Sequence, residues 1–272
     1  MVILAGAFHI NSYVGLNSKN KEASPDSFKI MTYNIGGLQT YGPQSRKRRK
    51  VKIDKLIKFL NERTTPEILC LQEYSWVKFF AEELKYDHVI KNKGVAIYTS
   101  YQVMDKGKIE FRNSFNAAVW ADLKINEEIV RVYNMHLQSN SVSKEAEDLI
   151  SVPGIQTLRG VRLVLAKVKW ATSKRASQAR LVAKHISGSP YPVIVCGDFN
   201  DTPQSYTFRK ISNGLINSFK EKGRGLGITY AGKIPGLHID HILLDERFEV
   251  ERHIITKEAM SDHYPVTCRI SF

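Results

Sequence analysis

The sequence has few cysteines, fewer acidic than basic residues, and no long apolar segment. Its three cysteines, Cys70, Cys196 and Cys268, form no CxxC pair, and each lies in an apolar segment typical of a strand. We interpret them as buried small hydrophobic residues, which argues against a disulfide framework or a cysteine zinc site. The longest apolar segment, Met1–Phe8, is about half the ~20 residues of a membrane-spanning helix and lacks the features of a signal peptide.

The shortage of acidic residues leaves a strong positive charge. Lys and Arg number 40 against 27 Asp and Glu, a net charge of +13, which predicts an anionic partner such as nucleic acid, a phospholipid headgroup or another phosphate ester. Residues 46–58 carry eight basic residues and one acid, and residues 159–180 carry seven and none. Such segments are often only solvated helix faces. The alternatives are that Arg46–Lys50 contacts a polyanionic substrate, or that the charge holds the protein at an anionic membrane surface.

The apolar and aromatic content is sufficient for a folded core in a chain of 272 residues. We divide the chain into an N-terminal leader over residues 1–27, polar from residue 17 and open to interpretation as the remnant of a membrane anchor in a longer precursor, and one catalytic domain over residues 28–272. Ile53, Leu56 and neighbouring apolar residues have helical spacing, whereas most apolar segments are short enough for strands.

The order of these segments predicts an α/β protein in which two β-sheets pack face to face and helices cover the outside. Helices are predicted over Trp76–Leu84 and over a long region ending near Ile186, whereas residues 36–50, 100–116 and 139–155 are predicted to be loops. The predicted strands are Phe28–Tyr33, Ile68–Gln72, Val89–Ile90, Val95–Thr99, Ala117–Ile125, Ile129–Leu137, Pro192–Cys196, Ile239–Leu244, Phe248–Ile255 and Tyr264–Ile270.

Polar side chains lie at or near the ends of several of these apolar segments. One such residue alone is usually a turn or a helix cap, but the ends of several strands can converge on one cleft. The combined set is rich in oxygen ligands and contains no thiolate, which favours Mg²⁺, Mn²⁺ or Ca²⁺ over structural zinc. The residues are Asn34, Glu73, His136, Asp198, Asn200, Asp240, Asp262 and His263.

The same residues lie in motifs that resemble the endonuclease/exonuclease/phosphatase superfamily, which includes deoxyribonuclease I, exonuclease III and bacterial sphingomyelinase. The resemblance covers about residues 28–271 and is closest to bacterial members of the Bacteroidetes type, in which such a domain follows N-terminal membrane helices. It implies a four-layer α/β sandwich, in which two mostly antiparallel β-sheets are packed together and flanked by helices, and metal-dependent hydrolysis of phosphate esters. The motifs, in order, are Thr-Tyr-Asn34, Leu-Gln-Glu73, Asn-Met-His136-Leu, Gly-Asp198-Phe-Asn200, Ile-Asp240-His and Ser-Asp262-His263-Tyr-Pro.

Two groups of roles follow from the resemblance, the first of which concerns the metal and the attacking water. Glu73 would be the principal metal ligand, with Asn34 beside it, and Asp262 would contribute to the network of metal and phosphate contacts. Asp198 would orient or deprotonate the attacking water. Asn200 would hold a non-bridging phosphate oxygen.

The second group of roles concerns the scissile phosphate. His263 would be the imidazole at this phosphate, with its tautomer set by Asp240. His136 would lie near the leaving or non-bridging oxygens. The resemblance implies in-line attack of water on phosphorus with Mg²⁺ or Mn²⁺, and with Ca²⁺ as an alternative.

Departures from the family pattern bear on the substrate. Tyr-Ser-Trp follows Glu73, where abasic-site endonucleases usually have Thr-Lys, which argues against a role in abasic-site repair. For His241 we predict a structural role or a position at the rim of the cleft. Asn116 is predicted either to face the cleft or to stabilise a turn. We predict a nuclease or other phosphodiesterase. The alternatives are a sphingomyelinase-like or inositol-phosphate phosphatase activity, and an inactive relative that binds nucleic acid or membrane.

Overall fold

The computed structural model describes residues 12–17, 22–38, 45–74, 83–139, 158–232, 236–258 and 260–272. Its strands are β1 (Val14–Leu16), β2 (Phe28–Asn34), β3 (Ile68–Gln72), β4 (His88–Asn92), β5 (Val95–Thr99), β6 (Gln102–Glu110), β7 (Ala117–Ile125), β8 (Glu128–His136), β9 (Val193–Asp198), β10 (Ile216–Asn217), β11 (Arg224–Leu226), β12 (Asp240–Leu244), β13 (Glu249–Ile255) and β14 (Val266–Ser271). Its α-helices are α1 (Ser45–Lys58), α2 (Leu158–Ser187), α3 (Tyr206–Ile211) and α4 (Ser218–Lys222).

Twelve of these strands form two six-stranded sheets, in the orders β13-β14-β2-β3-β5-β4 and β10-β12-β9-β8-β7-β6. Within these sheets, among the described residues, β2 with β3 and β8 with β9 are the parallel pairs, and the other neighbours are antiparallel. Each parallel pair needs a crossover connection, and the helices α1 and α2 lie in these two connections. The predicted class of two packed, mostly antiparallel sheets with outer helices is therefore confirmed.

The largest cluster of buried apolar side chains contains residues of both sheets. Ile30 and Val266 come from one sheet, and Val119 and Ile194 come from the other. Alternate residues of the strands point into this layer, as expected for sheets that pack face to face. Cys70, Cys196 and Cys268 belong to the same cluster as buried free thiols, which confirms their interpretation as core residues.

Two smaller clusters attach helices to the outer faces of the sheets. Leu56 of α1 packs in a cluster with Met31 of β2. Val182 of α2 packs in a cluster with Val195 of β9. The spacing that predicted a helix around Ile53 and Leu56 therefore reflects burial of one face of α1 against the first sheet.

Two of the predicted loops contain regular structure. The range 100–116 includes the edge strand β6, whose side chains are mostly exposed, so the strand has no apolar alternation to reveal it. The range 36–50 contains a 3₁₀ turn at Gly36–Leu38 and the start of α1. The predicted helix over Trp76–Leu84 lies mostly outside the described residues, as does the predicted loop over 139–155.

Part of the predicted leader contacts the folded domain. Strand β1 pairs with β11, and Asn17 Nδ2 donates to the carbonyl of Gly223 at 3.2 Å. Farther along, the Ser24 amide donates to Glu251 Oε1 at 3.2 Å. Residues Met1–Phe8 lie outside the described residues. Within the part of the chain that the structure describes, none of the helices combines the length and the apolar character needed to cross a bilayer.

Candidate active site

The candidate site lies at the sheet edge where the two parallel pairs end. Asn34 is the last residue of β2, and Glu73 directly follows β3. In the second sheet, His136 and Asp198 are the last residues of β8 and β9, and they are opposite each other in register. Asp240 begins the antiparallel strand β12 and pairs with Asp198. Strand polarity therefore delivers these side chains to one end of the sandwich.

Asp198 is the centre of the hydrogen-bond network. Its buried Oδ2 atom accepts from Nδ2 of Asn34 at 2.9 Å and from Nδ2 of Asn200 at 3.1 Å. Its Oδ1 atom accepts from the backbone amide of Asn200 at 2.8 Å. Gly197, just before it, has φ 141° and approaches Met135 so closely that a Cβ would lie 2.0 Å from the Met135 carbonyl oxygen. Only glycine fits there, which explains the Gly-Asp pair of the motif.

Two imidazoles flank Asp198. His136 Nε2 lies 3.6 Å and His263 Nε2 lies 3.8 Å from Asp198 Oδ2. His263 Nδ1 lies 2.9 Å from Oδ2 of Asp240, and both side chains are buried. Burial lowers the pKa of His263, but the negative charges of Asp240, Asp198 and Asp262 outweigh this effect and raise it to about 10.

Glu73 is more accessible than Asp198. Its side chain is 37% exposed, and Oε1 accepts from Asn34 Nδ2 at 3.2 Å and lies 3.7 Å from His136 Nε2. Its φ of 55° is unusual for a residue other than glycine, so the chain turns sharply as β3 ends. Gln72 supports this turn from the core, because its Nε2 donates to Asn134 Oδ1 of the other sheet at 2.6 Å.

Asp262 joins the site through the segment that follows β2. The Ser261 hydroxyl lies 2.9 Å from the Asn34 carbonyl oxygen and 3.1 Å from Asp262 Oδ1. Gly36, with φ 56°, is so close that a Cβ there would lie 2.9 Å from Asp262 Oδ1. Asp262 itself is exposed, so its carboxylate is accessible at the mouth of the site.

The donor atoms fit a hard divalent cation. Asn34, Glu73 and Asp262 supply amide and carboxylate oxygens, and the buried Nε2 of His136 has no hydrogen-bond partner among the described residues. A second set, Asp198, Asp240 and His263, has ligand atoms within 4.8 Å of one another. In that set, however, His263 Nδ1 and Asp240 Oδ2 already bond to each other. The carboxylates of the first set, Glu73 and Asp262, are the more accessible to an entering cation, because those of Asp198 and Asp240 are buried.

Several residues that the sequence analysis did not identify hold the predicted ones in place. Thr229 Oγ1 accepts from the amide of Asp240 at 3.1 Å, and the Tyr230 ring packs edge-on against His263 with centroids 5.1 Å apart. Arg175 of α2 donates to Asp201 Oδ2 at 3.1 Å and to the Gln138 carbonyl at 3.0 Å, which ties together the segments after β9 and β8. These residues lie in no short motif, so only the fold reveals them.

The two residues with open sequence interpretations both support the site. Asn116 donates from Nδ2 to the Leu137 carbonyl at 3.0 Å and also accepts from Ser114 in its own turn. His241 is buried against Phe199, and its Nε2 lies 3.1 Å from the Asp201 carbonyl oxygen. Burial and the neighbouring His238 and His253 keep the pKa of His241 well below its usual value, so its neutral ring serves packing.

The family model for the endonuclease/exonuclease/phosphatase family matches residues 31–263, which include all eight predicted site residues. The chain belongs to this family. Members of the endonuclease/exonuclease/phosphatase family are phosphoric ester hydrolases, and the chain is assigned to that class of enzyme. A search of curated proteins finds no match.

Solved structures of the endonuclease/exonuclease/phosphatase family share the fold. A family protein from Bacteroides thetaiotaomicron is 16% identical with a TM-score of 0.68, covering 92% of this chain and 96% of that one. A mannosyl-6-phosphatase from the same organism is 17% identical with a TM-score of 0.68, covering 90% and 100%. TDP2 from D. rerio, solved with a single-strand DNA product, is 16% identical with a TM-score of 0.66, covering 90% and 99%. At these identities, the similarity establishes the fold alone.

Proposed function

We propose that this protein is a divalent-metal-dependent phosphodiesterase that acts on nucleic acid by in-line attack of water on phosphorus. The observation that supports this most directly is the grouping around Asp198, where two amides and two imidazoles approach one buried carboxylate. Such a pocket offers a base for water and positive charge for phosphate oxygens within a few ångströms.

Asn34, Glu73 and Asp262 would hold the cation, Mg²⁺ or Mn²⁺ by the chemistry of their oxygens. When bound, the cation supplies positive charge that offsets the negative charge of the phosphate. Glu73 is the main ligand in this proposal, because its carboxylate is partly exposed and faces the buried atoms of the site. Asn34 helps to orient that carboxylate.

The remaining residues would act on water and phosphate. Asp198 would orient or deprotonate the attacking water, and His136 would bind a non-bridging or leaving oxygen. His263, with Asp240 setting its tautomer, would stabilise the charge that develops on the phosphate. Asn200 already donates both amide hydrogens, to Leu137 and to Asp198, so holding a phosphate oxygen would require one of these bonds to break.

Nucleic acid is the proposed substrate because the chain has a net charge of +13 and basic segments on two helices. The mannosyl-6-phosphatase relative supports a phosphomonoester as the second candidate. A panel of plasmid DNA, RNA, sphingomyelin, mannose 6-phosphate and bis-p-nitrophenyl phosphate, each with Mg²⁺ or Mn²⁺, separates these functions. Cleavage of nucleic acid is expected. Turnover of the monoester alone would contradict the proposal, and turnover of none would favour a binding protein.

The basic start of α1 is proposed to contact the polyanion. Arg49 Nη2 lies 3.4 Å from the carbonyl oxygen of Gly37, one residue beyond the glycine that borders Asp262, so this helix begins near the mouth of the site. Reversing the charges of Arg46–Lys50 should weaken DNA or RNA binding and flatten its dependence on salt. An unchanged salt slope would contradict this contact.

A further inference from the structure

Phe115 lies in the connection between β6 and β7, two residues before β7, with its ring in solvent. It is 96% exposed, the highest value among the large hydrophobic side chains of the described residues. Burial of a phenylalanine side chain contributes roughly 1.5–3 kcal/mol to stability. The exposed ring of Phe115 does not make this contribution. A ring presented in this way is available to a ligand.

The backbone on both sides of Phe115 is held in place. Asn116 Nδ2 donates a hydrogen bond to the Leu137 carbonyl oxygen at 3.0 Å, and the backbone amide of Asn116 donates to Ser114 Oγ at 3.1 Å. Lys93 Nζ donates to the Ser114 carbonyl at 3.3 Å. The ring is therefore carried by a short, anchored turn, which reduces the entropy lost when a ligand packs against it.

The same contacts place Phe115 beside the predicted phosphate site. The Leu137 carbonyl that accepts from Asn116 also accepts from Asn200 at 3.1 Å. Ala117, two residues after Phe115, is opposite His136 in the β7–β8 register. The exposed ring thus lies at the rim of the pocket that contains His136 and Asp198.

Helix α2 runs past this rim. Near its end, His185 Nδ1 lies 2.9 Å from the Tyr133 hydroxyl, whereas earlier in the helix Gln178 Oε1 accepts from the Gln138 amide at 2.8 Å. The helix is therefore antiparallel to β8, and its residues before Gln178 lie at or beyond the edge where β8 delivers His136. The helix extends 20 residues before Gln178, from Leu158, so this part projects past the sheet.

The projecting part of α2 is positively charged. Arg162 and Lys169 are exposed, Trp170 is half-exposed, and the sequence of α2 contains no acidic residue. Exposed aromatic rings beside cations are the features by which proteins bind single-stranded nucleic acid: the bases stack on the rings, and the cations contact the phosphates. The cations and the Trp170 ring on this part of α2, together with the exposed Phe115, favour a polyanion that carries planar rings.

We propose that Phe115 is a stacking platform for an unpaired base of single-stranded nucleic acid whose phosphate enters the pocket. The proposal rests on the proposed function for the identity of the pocket and adds the residue that selects the substrate. Phe115 is a specificity-determining residue in this scheme, since it contacts a base and no reacting atom.

Binding of a fluorescein-labelled oligothymidylate, measured by anisotropy in EDTA at low salt, tests this platform without hydrolysis. Phe115→Ala should raise Kd about tenfold, because stacking on one aromatic side chain has about that effect. Phe115→Leu should behave like Phe115→Ala, and Phe115→Trp should retain the wild-type Kd. The control is Phe272→Ala, at a half-exposed phenylalanine after β14 that packs on Phe28 near the opposite ends of the strands. It should leave Kd unchanged.

A wild-type protein that binds no oligonucleotide, or a Phe115→Ala variant with unchanged Kd, would overturn the proposal. Binding to vesicles containing phosphatidylglycerol that falls in Phe115→Ala and returns in Phe115→Leu, with oligonucleotide Kd unaffected, would instead assign the ring to a membrane. Hydrolysis of bis-p-nitrophenyl phosphate by the wild type is measured separately, as the test of the proposed function. If the wild type hydrolyses no phosphodiester, the proposed function is wrong, but the anisotropy measurement still tests whether Phe115 binds single-stranded nucleic acid.

Discussion

His263 Nδ1 and Asp240 Oδ2 lie 2.9 Å apart in the buried part of the site, while His263 Nε2 faces Asp198. Asp240 is thereby placed to act through the imidazole. Asp240→Asn should lower kcat about 10²- to 10⁴-fold, because an amide cannot hold the imidazole in the same tautomer and charge state. His263→Ala should lower kcat by at least as much, and the double variant should be no slower than His263→Ala alone.

Steady-state kinetics on whichever phosphodiester the panel identifies provide this comparison. Asp245→Asn is the matched control, since Asp245 directly follows β12 at the end opposite Asp240 and bonds to Arg247. It should retain wild-type kcat. Effects of Asp240→Asn and His263→Ala that multiply in the double variant would contradict action through the imidazole.

Glu73→Gln should raise the Mg²⁺ concentration needed for half-maximal activity by about tenfold or more, because it removes the charge of the proposed main ligand. Titration of activity with Mg²⁺ measures this effect. Glu128→Gln, an exposed residue at the opposite end of β8, should leave the requirement unchanged. Activity that survives in EDTA would contradict the metal assignment altogether.

Gly36→Ala should impair metal-dependent activity by displacing Asp262. The added Cβ would lie 2.9 Å from Asp262 Oδ1, and φ at this position is 56°, so strain of roughly 1–2 kcal/mol and a shifted carboxylate are expected. Gly214→Ala is a matched control, since its φ is 77° but no atom lies within 4 Å of the new Cβ. Both variants should lose stability in denaturant titrations, and only Gly36→Ala should raise the Mg²⁺ requirement.

The buried His253 is expected to make the folded protein less stable in mild acid. Burial, reinforced by the nearby His238, lowers its pKa to about 3, against about 6.5 in the unfolded chain. Between these values the unfolded state binds one more proton, so the free energy of unfolding falls as pH drops below about 6.5, by about 2 kcal/mol at pH 5. His253→Gln should remove that share of the difference between pH 8 and pH 5 in urea titrations. If the variant keeps the full difference in unfolding free energy between pH 8 and pH 5, His253 is not the origin of the acid sensitivity.

Much of the fold is predictable from local pattern. The strand Val95–Thr99 and the strand Ala117–Ile125 have the predicted bounds, because buried strands carry continuous or alternating apolar residues. The edge strand Gln102–Glu110 is not predictable in this way, since its side chains are mostly exposed and any polar segment satisfies its pattern. The exposure of Phe115 is not predictable either, because an apolar residue in a sequence is expected to be buried.

The sequence by itself determined which residue types end the buried strands and, through their motifs, the family. It could not determine that Asn34 and Asp198, separated by 164 residues, would share a hydrogen bond, or that Gln72 would donate to Asn134 of the other sheet. Those relationships depend on two parallel strand pairs that end at one edge and on the packing of one sheet upon the other. Local sequence encodes where each strand ends, whereas the contacts among those ends arise only when the two sheets bury their common core.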